Sequence, residues 1–124
     1  MALSKNVKRR KWLSMKANNS GEITCKSCGF SYHIKGRMKN NALKMTVDHD
    51  IPTSRGGVDK PHNWVEMCFL CNKVKGVLLP VEFEILKKYL NNKPLSYREI
   101  KVLLNALLFE RGTISLRELE RMNL

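Results

Sequence analysis

Two Cys-x-x-Cys pairs, Cys25/Cys28 and Cys68/Cys71, constrain this chain more than any other feature. Each pair is spaced so that two sulfurs grip one ion from a tight turn, and two such half-sites complete one tetrahedral metal. The thirty-nine residues between Cys28 and Cys68 then become a loop closed by that metal. A closure of this kind is needed, because 124 residues form one compact domain with only a modest core. The start, MALSKNVKRRKW, lacks the apolar stretch of a signal peptide, so the chain is expected in a reducing cytoplasm, where paired cysteines bind metal rather than form disulfides. A competing knuckle, C-x2-C-x4-H-x4-C, begins well with His33 but meets Met38 at its fourth position, and a thioether is a poor zinc ligand. Four thiolates leave no place for water or substrate, so this zinc is structural and any chemistry lies elsewhere.

The charge is placed unevenly. Of the net +12, nearly all sits in residues 1–45, where eleven basic residues face a single acid, Glu22; the remainder holds twelve bases and ten acids. Such concentration is the footprint of a polyanion-binding surface. No amphipathic membrane stretch accompanies it, and no apolar run approaches the roughly 18 residues of a membrane span, which leaves nucleic acid as the partner.

Three sections follow from composition. Residues 1–20 are a basic arm or short helix, with Leu3, Val7 and Leu13 too thin a stripe to decide between them. Residues 21–77 are rich in turn formers, hold all four cysteines and all three histidines, and contain the strand-like pieces LKMTVD and WVEM. Residues 78–124 read as helices: Pro80 opens one, with Glu82 and Glu84 early and Lys87 and Lys88 late, and Ser96/Glu99 and Ser115/Glu118 are capping boxes. Val102, Leu103, Leu104, Leu107 and Leu108 supply apolar surface to pack on a neighbour, and the default expectation is that this helical extension packs on the middle module, with a dimer contact or a groove contact as the alternatives.

The middle section holds a second constellation, VDHDIPTSRGG at residues 47–57. Asp48 and His49 are adjacent, and neighbours on a regular strand point to opposite faces, so the chain must bend for both to serve one site; Pro52 and Gly56-Gly57 lie just downstream. Asn63 and the strand-like WVEMC follow, then CFLCNKVKG, which begins a helix at the second cysteine pair and carries Asn72 and Lys75 on one face.

Taken in order, C-x2-C, VDHDIPTSRGG, NW and CFLCNKVKG resemble the HNH endonucleases, over about residues 21–77. The resemblance implies an α+β fold: a ββα-metal (His-Me finger) core with a four-cysteine zinc site, followed here by the helical extension. It identifies His49, Asn63 and Asn72 as the three motif positions, an H-N-N variant, and implies a bacterial or phage enzyme of the host-cell cytoplasm that cuts or nicks double-stranded DNA. Phage genome packaging or other DNA-processing proteins are the implied partners.

Residue chemistry agrees with these roles. Phosphodiester hydrolysis needs a deprotonated water in line with the leaving oxygen and positive charge on the phosphate. Asp48 and Asn72 supply hard oxygen ligands suited to Mg²⁺ or Mn²⁺. Histidine is the residue type whose unperturbed pKa lies near neutrality, so His49 is the expected general base, and Asn63 is expected to hold the loop and the His49 ring. Arg9, Arg10, Lys11, Arg37, Arg55, Lys73 and Lys75 are the expected phosphate contacts, a set that gives affinity without sequence reading. The rival function is a zinc-stapled DNA-binding module that does not cut.

Overall fold

A computed structural model describes residues 5–36 and 41–122, and shows the expected α+β class. The Val- and Thr-containing run at Met45–His49 (β3) pairs antiparallel with Trp64–Cys68 (β4), from Met45 opposite Cys68 to His49 opposite Trp64. A shorter hairpin, Glu22–Thr24 (β1) with Ser31–His33 (β2), encloses the first cysteine pair. Gly29, at φ +79°, makes the tight turn there, and the Gly29 N–H donates to the Cys25 carbonyl. Among the described residues five α-helices accompany these ribbons: α1 (Lys5–Lys16), α2 (Phe69–Lys75), α3 (Pro80–Leu90), α4 (Tyr97–Glu110) and α5 (Leu116–Met122). None is long and apolar enough to cross a membrane.

The chain gathers into two compact units. One comprises the residues up to His49 together with Asp59–Val74, and so contains α1, both ribbons and most of α2. Its core is Ile23, Cys25, Met45, Val65, Met67 and Cys68. The basic run 5–16 is a helix with no buried residue; Trp12 holds it to the ribbon, edge-on to Trp64 with ring centroids 6.0 Å apart.

The other unit comprises Asp50–Val58 and the chain from Lys75 onward, built on α3, α4 and α5 around Leu78, Phe83, Ile85, Leu103, Ala106 and Leu119. Its start signals work as read: Ser96 Oγ accepts from the Glu99 N–H while Glu99 reaches back to the Ser96 N–H, and Ser115 and Glu118 repeat the exchange. At α3, Glu82 supplies half of such a box, accepting from the Leu79 N–H at 2.8 Å.

Arg55 corrects an expectation. Instead of facing a phosphate backbone, it is buried in this unit and forms two parallel bonds to Glu82, Nη1–Oε1 at 2.7 Å and Nη2–Oε2 at 2.9 Å, with the guanidinium 5.4 Å from the centre of the Phe109 ring. The fork of a guanidinium matches a carboxylate in this way, and that match draws both charges inside. Lys75 is a second correction: only 2% exposed, it lies in the interior rather than on a DNA-facing surface.

Candidate metal and nucleic-acid site

The four cysteines come together as the spacing requires. Their sulfurs all lie within 4.8 Å of one another, and Cys28 Sγ is 3.9 Å from Cys68 Sγ. A tetrahedral ion with metal–sulfur bonds of about 2.3 Å holds its sulfurs about 3.8 Å apart, so the cage fits such an ion. Backbone N–H groups point at the sulfurs: Cys28 and Cys68 donate to Cys25 Sγ at 3.5 and 3.3 Å, and Cys71 to Cys68 Sγ at 3.4 Å. Burial pushes the Cys25 thiol up, but the N–H groups of Cys28, Cys68 and Ser27 together outweigh it and bring its pKa down to about 7. Burial raises Cys68 and Cys71 instead, and the neighbouring Cys25 charge raises them further. Four sulfurs this close cannot all ionise without a cation among them, and the cage is therefore a site for a structural metal.

The β3–β4 ribbon carries the second constellation on its two faces. Strand pairing is unbroken through His49, and the chain bends only beyond it, at Asp50 and Ile51. Asp48 and His49 therefore leave the strand on opposite faces, rather than being brought together by a bend. Asp48, 9% exposed, shares its face with Thr46, two residues before it. On that face Asn72 of α2 donates from Nδ2 to Thr46 Oγ1 at 3.0 Å, while the Thr46 hydroxyl donates to the Met67 carbonyl at 2.7 Å. The bond fixes the Asn72 amide by its nitrogen end and turns its oxygen to the other side. Asp48 and Asn72 are thus both met on this face of the ribbon, and a carboxylate and a carboxamide are ligand types that a hard divalent cation takes.

On the opposite face stands His49, directly across from Trp64. Its Nε2 lies 2.9 Å from Asp59 Oδ1, and the Trp64 indole N–H donates to the same oxygen at 3.0 Å. Arg9 Nη2 is 3.3 Å from Oδ1 and Lys5 Nζ 3.2 Å from Oδ2, so α1 also reaches this carboxylate. The His49 and Trp64 bonds, with Lys5 and Arg9 behind them, hold the Asp59 carboxyl well below the usual carboxylate range. Asp59 had no signal in the sequence: one of two acids in the loop between β3 and β4, it meets His49 because ribbon pairing sets Trp64 opposite that histidine. Thr46 was equally silent.

The remaining expected residues fall as follows. Asn63 closes the 3₁₀ turn Pro61–Asn63 that leads into β4 and is buried. The carboxylate bonded to the His49 ring is that of Asp59. Arg9 is half-buried over the Trp64 ring, whereas Arg10, Lys11 and Lys73 are exposed. Arg37 lies outside the described residues. Phe69 is 43% exposed, with Lys73 Nζ 5.4 Å from the centre of its ring.

Residues 25–77 match the family model described as HNH endonuclease, from the first cysteine to just past α2. The match covers a little under half of the chain, and the ribbon, α2 and the cysteine cage all fall within it, in keeping with an α+β HNH fold. A DNA polymerase of Thermococcus aggregans is 28% identical over 95 residues, which is 73% of this chain but 5% of that protein, so the chain spans only a small fraction of its relative's length. No solved structure matches the chain with significance.

Proposed function

We propose that residues 25–77 carry a metal-dependent DNA endonuclease site of low sequence specificity, stapled by zinc in the four-cysteine cage. The family match makes a nuclease or DNA-binding activity the starting point. What supports cutting is the bond from Asn72 to Thr46, which places the Asn72 carboxamide against the face of β3 that bears Asp48. Asp48 and Asn72 would hold Mg²⁺ or Mn²⁺, whose chemistry in such a site is to acidify water and offset charge on the phosphate. His49 accepts the proton of the attacking water. Buried Asn63 fixes the turn into β4. The exposed Arg10, Lys11 and Lys73 meet backbone phosphates, and DNA as the polymer is in keeping with the likeness to a stretch of a DNA polymerase.

A second reading, a zinc-stapled DNA-binding module without cleavage, is favoured by one observation: regular pairing through His49 sends it and Asp48 to opposite faces of the ribbon. Plasmid nicking with Mg²⁺, Mn²⁺ or EDTA, run beside His49→Ala, separates the two. The endonuclease reading expects metal-dependent nicking that falls about 10²- to 10⁴-fold in the variant. Binding without nicking by the unsubstituted protein, whatever the metal, would replace it with the second.

A further inference from the structure

We propose that Asp59 is the positioning residue of His49, and that α1 belongs to the same arrangement by holding Asp59 in place. The inference rests on the endonuclease reading and deepens it. The motif positions alone assign the orientation of the imidazole to Asn63, and the geometry points to a further group. Asp59 Oδ1 receives His49 Nε2 at 2.9 Å and Trp64 Nε1 at 3.0 Å, from two side chains that stand opposite each other in the ribbon. Two ring nitrogens converging on one oxygen fix the carboxylate relative to the strand ends. Arg9 and Lys5 bind it from α1, and Trp12 keeps α1 against Trp64.

The chemistry follows from the donors. A carboxylate surrounded by N–H groups and cations accepts only, so Nε2 of His49 carries the ring proton, and the basic lone pair is on Nδ1. Nδ1 then takes the proton of the attacking water, and the imidazolium so formed is stabilised by the Asp59 charge beside Nε2. The bland alternative is a solvated ion-pair cluster that adds a little stability. Lys5 belongs to that class, its side chain being 78% exposed. The His49 bond does not depend on it, because His49 and Asp59 side chains are 23% and 26% exposed and are in direct contact.

The test uses the full-length, zinc-loaded protein with Asp59→Ala and Asp59→Asn, the second keeping a neutral acceptor of the same shape. In ¹H–¹⁵N spectra without Mg²⁺, the unsubstituted protein should show a ring Nε2–H of His49 protected from exchange, assigned by its loss in His49→Ala. Asp59→Ala should lose that resonance, and Asp59→Asn should retain it at a shifted position. In plasmid nicking, kcat should fall about 10- to 100-fold in Asp59→Ala with KM within about 3-fold, and Asp59→Asn should recover part of the loss. The proposal is overturned if the protected proton is absent from the unsubstituted protein or persists in Asp59→Ala, or if the variant changes KM alone. Should the unsubstituted protein fail to nick with Mg²⁺ and with Mn²⁺ while its spectrum shows the protected proton, the endonuclease reading fails and the His49–Asp59 pairing stands.

Discussion

Removing the Glu82 carboxylate while leaving Arg55 should be among the most damaging single changes to the helical unit. The two side chains are 6% and 2% exposed and share two bonds of 2.7 and 2.9 Å. Glu82→Ala leaves a guanidinium in the interior with the Phe109 ring and the Val77 carbonyl as remaining neighbours. It also takes the acceptor from the Leu79 N–H at the start of α3. An uncompensated buried charge of this kind costs about 3–5 kcal/mol. Set against a total stability of about 5–15 kcal/mol, that is a fifth or more of the whole. The double substitution Arg55→Leu/Glu82→Met should recover most of the loss, since apolar replacements of a buried pair are often neutral or better. Urea denaturation of the zinc-loaded protein followed by far-UV circular dichroism measures both. If Glu82→Ala costs less than about 1 kcal/mol, the range of a solvent-exposed pair, or if the double variant is no more stable than the single, the buried-pair reasoning is wrong. DNA affinity and its salt dependence give an independent check, because a true phosphate contact at Arg55 would lower both without lowering stability.

Two further outcomes concern other parts of the chain. Cys25→Ser removes the sulfur that accepts two backbone N–H groups, and should release the metal and unfold the cysteine-bearing unit; a full zinc complement with a native spectrum would contradict the four-thiolate cage. Glu99 has its carboxyl held below the ordinary value, first by the Lys88 ammonium at 2.8 Å and then by the Ser96 N–H. A lowered folded-state pKa contributes stability that is present above the unfolded value and is lost as pH falls through the folded one. The stability gap between the unsubstituted protein and Glu99→Gln should therefore be full at neutral pH and shrink below about pH 4 in thermal melts; a gap that widens in acid would contradict the assignment.

Local signals were legible because they act over a few residues. The two Cys-x-x-Cys turns, the strands at LKMTVD and WVEM, and the capping boxes at Ser96 and Ser115 each depend on neighbours within one turn or one pleat, and each stands where the residue pattern implied. The α+β class and the HNH resemblance followed from their order along the chain. Contacts across long loops were not legible, because nothing in residue spacing says which side chains a fold brings within hydrogen-bonding distance. Arg55 reads as a surface cation until Glu82, twenty-seven residues on, is set against it. Asp59 reads as a stray acid until ribbon pairing brings His49 and Trp64 to one of its oxygens. Sequence by itself determined which groups are available: four thiols, an Asp-His pair, two carboxamides and a basic N-terminal stretch. Tertiary structure alone decided which charges are buried and which acid meets the imidazole, since burial and proximity belong to the packed chain and not to any segment of it.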